Sequence, residues 1–238
     1  MHEEEFMRTI LLLTCFTFFL FCMAFHSITF GISDQAILAE IQNRYENTNA
    51  LEAKFIQEYI GKVMRQPQKG EGKVYFKKKG MMRWDYQVPN QKFISDGQTL
   101  WYYQPEENQV FISNAEKMIK EFGFLAGEGD LRRDFKFLNM NESSSQKEDL
   151  FIFELAPRES HPAVSKLSLS VDKKTYYILQ VDVIDGLGNV TRTRFTDIKT
   201  NIELPHSFFQ FKVPSGVEVI KMQESSTSSL GEKGPQKK

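Results

Sequence analysis

Cysteine is nearly absent from this 238-residue chain, and its two examples, Cys15 and Cys22, lie inside one N-terminal apolar run. A bacterial lipoprotein needs a small residue directly before its acylated cysteine, whereas Thr14 and Phe21 stand at those positions. We therefore expect no lipid attachment. A mature chain that begins near Gly31 would have no disulfide, no reactive thiolate and no sulfur ligand for a metal, and an oxidising compartment would not affect it.

An excess of charge of one sign is also missing. Setting aside the one arginine and three glutamates of residues 1–30 leaves 29 basic and 28 acidic residues. A protein that binds nucleic acid usually presents a strongly basic face, because phosphate contacts dominate that affinity. The balanced charge therefore predicts that nucleic acid is not a partner.

Catalytic and metal-binding motifs are lacking as well. Beyond residues 1–30 the only histidines are His161 and His206, and each adjoins a proline, which favours a turn. The chain has neither the paired-histidine spacing of a zinc site nor the G-x-S-x-G nucleophile motif. We expect a protein that is not an enzyme and that uses no metal and no cofactor.

One long apolar run is present, at residues 10–25, with Arg8 just before it. This arrangement is typical of a secretory signal peptide, although no clean cleavage motif occurs, and cleavage is expected somewhere within residues 24–33. The alternative is an uncleaved anchor, since a run of this length, although short, is not impossible as a membrane span. We predict three segments: a signal peptide over residues 1–30, a folded domain over 31–222 and a disordered tail over 223–238.

Residues 70–104 show the clearest pattern, which is that of consecutive β-strands. Period-2 alternation places Met82, Trp84 and Tyr86 on one face of a strand and polar side chains on the other. The Asp96-Gly97 pair is a strong hairpin signal. A large apolar face of this kind indicates either an ordinary sheet packed on helices or a surface that binds an apolar ligand.

The remaining chain continues the β pattern on either side of this segment. Residues 34–46 have helical spacing with one apolar stripe, and residues 150–199 alternate as a meander. We also predict a polar loop over residues 141–147 and a last strand over 207–212. The fold expected is mainly β with covering helices, an incomplete antiparallel β-barrel (half-barrel) closed by short α-helices.

A short apolar segment bounded by glycines interrupts the strands between residues 115 and 135. Met118, Phe122 and Leu125 are spaced as on a helix, and Phe124 adds bulk. Glycines at its ends provide loose hinges, so the segment is typical of a lid. A plain covering helix explains the pattern equally well, and both interpretations stay open.

Several blocks together resemble one protein family. They are R-W-D-Y at residues 83–86, S-D-G at 95–97, L-W-Y-Y at 100–103, F-L-A-G-E-G-D-L at 124–131 and F-K-V-P-S-G-V-E-V-I at 211–220. In this order the blocks are similar to the bacterial outer-membrane lipoprotein carrier proteins, the LolA family. The resemblance covers nearly the whole of the predicted mature chain.

The resemblance implies a periplasmic, monomeric carrier that shelters the acyl chains of lipoproteins in a hydrophobic cavity. It would receive acylated lipoproteins from an inner-membrane lipoprotein-releasing ABC transporter and deliver them to an outer-membrane receptor lipoprotein. Two alternatives stay open on the same half-barrel: a carrier of another lipid or glycolipid, and a sensor or regulator that detects lipoproteins.

The expected site has three parts. The lipid-binding cavity would be lined by Met82, Trp84, Tyr86, Leu100, Leu167 and Leu169, and the lid would present Met118, Phe122, Phe124 and Leu125. The family commonly has an arginine in the first hairpin turn that fastens the lid. Lys78 occupies that position here, so either Lys78 or Arg83 is the expected latch, and Lys78 lacks the planar donor fork of arginine.

Overall fold

The computed structural model describes residues 33–115, 123–126, 128–145, 148–159 and 163–222. The predicted signal peptide and C-terminal tail lie outside the described residues, and so do Met118 and Phe122 of the predicted lid. Within the described ranges no helix has the length and apolar character needed to cross a bilayer.

Twelve strands and a few short helices make up the described chain. The strands are β1 (Ala50–Ile60), β2 (Gln68–Lys77), β3 (Met81–Val88), β4 (Gln91–Asp96), β5 (Thr99–Gln104), β6 (Gln109–Asn114), β7 (Phe135–Ser144), β8 (Asp149–Pro157), β9 (Lys166–Asp172), β10 (Ile178–Ile184), β11 (Val190–Thr200) and β12 (Glu218–Lys221). The helices are α1 (Asp34–Glu46), α2 (Leu131–Asp134) and two 3₁₀ turns, the 123–126 turn (Gly123–Ala126) and the 206–209 turn (His206–Phe209).

All twelve strands belong to one sheet, in the order β12-β6-β5-β4-β3-β2-β1-β11-β10-β9-β8-β7. Neighbours run antiparallel except β12, which pairs with β6 in parallel. Because the order begins at β12 and ends at β7, the curled sheet does not close on itself. This confirms the predicted mainly-β, incomplete antiparallel barrel.

Two adjacent hairpin turns fix the register of β2 to β5. At the first turn Lys79 and Gly80 adopt φ values of 72° and 67°, which is why glycine is favoured there. At the second, the Asp96 carboxylate accepts hydrogen bonds from the main-chain N–H groups of Gln98 and Thr99. A Cβ at Gly97 would lie 2.2 Å from the Lys79 carbonyl oxygen, so the two turns pack together only if that residue is glycine.

Helix α1 lies on the concave face of the sheet. Ile37, Leu38, Ile41 and Tyr45 recur at helical spacing, and all four are buried in the main hydrophobic core. The Tyr45 hydroxyl accepts a hydrogen bond of 3.0 Å from the main-chain N–H of Ile178, which ties the helix to the start of β10. The apolar stripe of the helix therefore faces the sheet, as its sequence predicts.

The convex face near β3 and β4 is covered by the segment after β11. The prediction of a strand over residues 207–212 is wrong, because the chain forms the 206–209 turn and then continues without regular structure. Phe209 is fully buried, and the Phe208 ring lies 4.8 Å from the Tyr75 ring and 4.5 Å beneath the Arg83 guanidinium. Packing of the Phe208 and Phe209 side chains therefore overrides the local preference of residues 207–212 for a strand.

The predicted loop over residues 141–147 is also wrong in its first half. Residues 141–144 continue β7, with Asn141 opposite Ile152 and Ser143 opposite Leu150. Their side chains are polar and exposed, yet the pairing with β8 depends on main-chain groups, which every residue carries. An edge strand can therefore run through a polar sequence.

Candidate functional site

The concave face carries the residues predicted for the cavity. Met82, Trp84 and Tyr86 alternate along β3 and are all buried. Leu167 and Leu169 lie on β9, also buried, and the pairing of Leu169 with Val181 continues the same face onto β10. The structure thus brings these side chains into one core, although their role as a lipid-binding surface stays a prediction.

Leu100 shares this face but lies in a more open part of it. It pairs with Ser95 of β4, which in turn pairs with Met82 of β3, so all three side chains point to the concave side. Leu100 is half-buried, as is every residue of β5. This end of the concave face is therefore less covered than the end beneath α1.

A row of aromatic rings runs across the concave face, and we call it the aromatic ladder: Phe55, Tyr86, Phe93, Tyr102 and Phe111. Successive ring centroids are 4.7 Å, 5.8 Å, 4.2 Å and 5.8 Å apart. The Phe93 and Tyr102 rings stack at an interplanar angle of 4°. The ladder leads from the buried core to half-buried rings on β4, β5 and β6.

Sequence reasoning missed Phe93 and Phe111 as members of this surface. Their strands are short, with six residues each, so alternation alone gave a weak signal. The cross-strand pairs Trp84–Phe93 and Tyr102–Phe111 place both side chains on the concave face. Counting aromatic residues across consecutive predicted hairpins would have revealed the row.

The 123–126 turn covers the core from the side opposite the sheet. Phe124 and Leu125 are both buried, and the Phe124 ring meets the Phe135 ring edge to face at 6.5 Å. The main chain doubles back after the turn, since Glu128 N–H donates to the Gly123 carbonyl. A Cβ at Gly129 would lie 3.0 Å from the Phe124 nitrogen, so this close approach favours glycine.

A cavity of about 10 Å³ remains under the 123–126 turn. Its lining side chains are Tyr45, Leu51, Ala53, Phe76, Leu125, Ile178, Phe195 and Ile198. A volume of this size holds about one water molecule, whereas ligand pockets usually measure some 300–1,000 Å³. This cavity is therefore too small to hold an acyl chain unless the side chains that line it move apart.

The segment after the turn is fastened to helix α1 through Gln42, which is buried. The Gln42 Nε2 group donates to the Gly129 carbonyl oxygen at 2.8 Å, and its Oε1 accepts from the Leu131 N–H at 3.0 Å. Asp130 caps α2 by accepting from the N–H groups of Arg132 and Arg133. These bonds hold the segment after the 123–126 turn in place against α1.

The same segment also meets the first hairpin turn, through Glu128. The main-chain N–H of Lys79 donates to Glu128 Oε1 at 2.6 Å. Of the predicted latch residues, Lys78 lies in the same turn, and its main-chain N–H donates to Asn49 O. Arg83 lies on the opposite face of the sheet, where it binds Asp85 and the Phe208 carbonyl oxygen. Latching by Lys78 or Arg83 stays a prediction.

Polar groups interrupt the concave face near the outer ends of β1 and β11. The Tyr86 hydroxyl donates to Gln57 Oε1 at 2.9 Å, and Gln57 Nε2 donates to Thr193 Oγ1 at 3.0 Å. Burial raises the pKa of the Tyr86 phenol well above its usual range, and it does the same to the pKa of Tyr45. Both phenols are therefore neutral at physiological pH.

The described ranges contain no group of three or more His, Cys, Asp or Glu side chains arranged to hold a metal ion. The concave face consists of apolar side chains and neutral hydrogen-bonding groups. Chemically, such a surface can bury an apolar ligand by contact and by excluding water.

Comparisons with known proteins give a consistent result. The family model described as "Outer membrane lipoprotein carrier protein LolA" matches residues 46–212. The outer-membrane lipoprotein carrier protein of Dechloromonas aromatica is 27% identical over 184 residues, covering 76% of this chain and 86% of that protein. The corresponding protein of Legionella pneumophila strain Corby is 29% identical over 185 residues, covering 76% and 88%.

Among solved structures, an uncharacterized conserved protein from Thermus thermophilus matches this chain with a TM-score of 0.51 at 14% identity. The match covers 77% of this chain and 98% of that one. At this identity the likeness concerns the fold alone, and it supports the open curled sheet described above.

Proposed function

This chain belongs to the outer-membrane lipoprotein carrier family, LolA, and we propose that it is a periplasmic carrier that binds the acyl chains of lipoproteins on its concave face. In this proposal it collects acylated lipoproteins from an inner-membrane ABC transporter and delivers them to a receptor lipoprotein at the outer membrane. The single observation that supports binding is the apolar concave face with its aromatic ladder.

Energetics explain how such a carrier can work although Phe124 and Leu125 are packed in its core. Burying a hydrocarbon chain of about fifteen methylenes is worth on the order of 12 kcal/mol at roughly 0.8 kcal/mol per methylene. Displacing Phe124 and Leu125 from the core costs about 3–6 kcal/mol in total, at about 1.5–3 kcal/mol for each side chain. An acyl chain that replaces them therefore offsets the cost of opening.

The same comparison explains how cargo could be released. Once the chain leaves, Phe124 and Leu125 return to the core and recover their own burial energy. The carrier then holds its cargo by the difference between two large terms, so a receptor that offers a modest further gain can remove it. Soft side chains such as Met82 and Met140 suit acyl chains of different length and shape, because thioethers adapt to irregular space.

Two neighbouring tyrosines of β5 provide a matched test. Tyr102 and Tyr103 are both half-buried. Tyr102 faces the ladder, stacked on Phe93 at 4.2 Å, whereas Tyr103 faces the convex side, 5.0 Å from Phe211. We expect Tyr102→Asp to weaken binding of a diacylated peptide by more than about tenfold, because a carboxylate against an acyl chain loses its hydration.

The control is Tyr103→Asp, which introduces the same charge and the same loss of strand propensity on the other face. Its affinity should stay within about twofold of the parent protein, as measured by quenching of a fluorescent acylated peptide. Equal losses in the two variants would contradict the assignment of the concave face as the binding surface. Mass spectrometry of molecules that co-purify from the periplasm would then identify whether another lipid is the cargo.

A further inference from the structure

Two loops at one end of the sheet expose apolar side chains to an unusual degree. The loop between β1 and β2 presents Val63 and Met64, which are 96% and 36% exposed. The turn between β10 and β11 presents Leu187, which is 77% exposed. We call these three residues the apolar tip. Single exposed apolar residues are common on protein surfaces, but a cluster of them indicates a contact site.

The two loops are neighbours in space although they are far apart in sequence. The Lys62 N–H donates to Asn189 Oδ1 at 3.1 Å, and a Cβ at Gly188 would lie 2.5 Å from the end of the Lys62 side chain. The Asp185 carboxylate accepts hydrogen bonds from the N–H groups of Leu187 and Asn189. This turn therefore holds Leu187 outward in a defined position.

The charges around the apolar tip favour a negatively charged surface. Lys62 and Arg65 bracket Val63 and Met64, and no acidic residue occurs between residues 61 and 70. Lys69 lies 3.0 Å from Glu58, so these two charges largely cancel. The carboxylate of Asp185 is directed at the N–H groups of its own turn. Lys62 and Arg65 thus remain as the basic pair at the tip.

The apolar tip is continuous with the end of the concave face where Gln57 and Thr193 lie. Tyr59 lies on that face two residues after Gln57, and a Cβ at Gly61 would be 3.5 Å from the Tyr59 ring and 2.9 Å from the Met64 sulfur. Whatever the tip contacts will therefore lie beside the end of the face where β1 and β11 carry their polar groups. This placement is useful for a carrier that must reach an acyl chain held in a bilayer.

We propose that the apolar tip docks on a lipid bilayer with anionic headgroups and so brings the end of the concave face at Gln57 and Thr193 to the membrane surface. This proposal rests on the proposed function, since it supplies the membrane step of acyl-chain transfer. Apolar side chains insert at the boundary between headgroups and acyl chains, while nearby basic residues attract anionic lipids. The tip combines both features on two anchored loops.

The test is vesicle flotation with cargo-free protein purified from the periplasm. The vesicles contain phosphatidylcholine with phosphatidylglycerol at about 3:1, or phosphatidylcholine alone. We expect the parent protein to float with the anionic vesicles. Val63→Asp/Leu187→Asp should lower the partition coefficient by at least about tenfold, because both inserted side chains are lost. Lys62→Gln/Arg65→Gln should lower it by about tenfold on anionic vesicles and little on neutral ones.

The matched control is Ile56→Asp/Val219→Asp. These positions are 49% and 45% exposed, and the double variant adds the same two negative charges away from the tip. It should bind vesicles as the parent protein does after allowance for net charge. A tip variant and a control that lose binding equally would overturn the proposal, since general repulsion would then explain the result.

A second readout separates this proposal from the carrier function. Uptake of a diacylated peptide from detergent solution should be unchanged in Val63→Asp/Leu187→Asp, because both side chains are largely exposed and neither belongs to the ladder. A parent protein that takes up the peptide but does not float would overturn membrane docking and leave the carrier function intact. Flotation only with vesicles that contain inner-membrane proteins would also overturn it, and would indicate a protein partner instead.

Discussion

Gln42 offers the sharpest test of how the segment after the 123–126 turn is held. The residue is buried on α1, and its amide satisfies two main-chain groups of the segment that follows the 123–126 turn: the Gly129 carbonyl at 2.8 Å and the Leu131 N–H at 3.0 Å. Gln42→Met keeps a similar volume but removes both partners. The Leu131 N–H, left buried without a partner, costs about 1–3 kcal/mol, and the part-buried Gly129 carbonyl costs less.

We therefore expect Gln42→Met to lower the free energy of unfolding by about 1–4 kcal/mol, which is a substantial share of the roughly 5–15 kcal/mol typical of a folded protein. Urea unfolding measures this as a shift of the midpoint at constant slope. Amide exchange adds a local readout, because the Leu131 N–H loses its acceptor and should exchange faster than other buried amides.

Gln42→Glu distinguishes the two hydrogen bonds. Its carboxylate can still accept from the Leu131 N–H, but it faces the Gly129 carbonyl oxygen without a proton to donate. A protonated carboxyl can donate, so the folded protein raises the pKa of this group above its unfolded value of about 4.3. The stability of this variant relative to the parent protein is then highest below that value and is lost as pH rises.

The control for both variants is Gln35→Met on the exposed side of α1. It should change the free energy of unfolding by less than about 0.5 kcal/mol. If Gln42→Met changes the free energy of unfolding as little as this control, and the exchange of the Leu131 amide is unchanged, then Gln42 does not hold the segment after the 123–126 turn. The account of how α1 holds the segment would have to be abandoned.

Two further predictions concern the latch and the buried phenols. Glu128→Ala removes the acceptor of the Lys79 N–H, so a stopped-flow assay should show faster uptake of an acylated peptide. Glu128→Gln and the exposed-site control Glu106→Ala should take up the peptide at the rate of the parent protein. An unchanged rate in Glu128→Ala would exclude this contact as a latch. The raised pKa values of Tyr45 and Tyr86 mean that the unfolded chain loses these protons first, near pH 10, so stability should fall as pH rises above about 10. Tyr86→Phe should weaken this loss of stability at high pH. It should also lower the free energy of unfolding by about 1 kcal/mol at neutral pH, because the hydrogen bond to Gln57 is lost. If urea unfolding shows the same dependence of that free energy on pH in both proteins, the prediction is contradicted.

The LolA family assignment drawn from short motifs is confirmed by the match of the family model to residues 46–212. The sequence was also sufficient for the sheet near β3, because alternation of Met82, Trp84 and Tyr86 is a local property with period 2. The same holds for the apolar stripe of α1 and for the turn at Asp96. These features depend on residues close together in the chain, so a reader of the sequence can find them.

Only the tertiary structure decided how the concave face is closed. Gln42 meets Gly129 and Leu131 across separations of 87 and 89 residues, and no local pattern predicts such a contact. The burial of Phe209 on the convex face and the hydrogen bond between Lys62 and Asn189 also join segments that are far apart in the sequence. Each depends on packing between distant segments, which competes with and often overrides local preference. Alternation thus determined which side chains share a face, whereas the curl of the sheet and the segments laid on it determined which of them are covered and which remain free to bind.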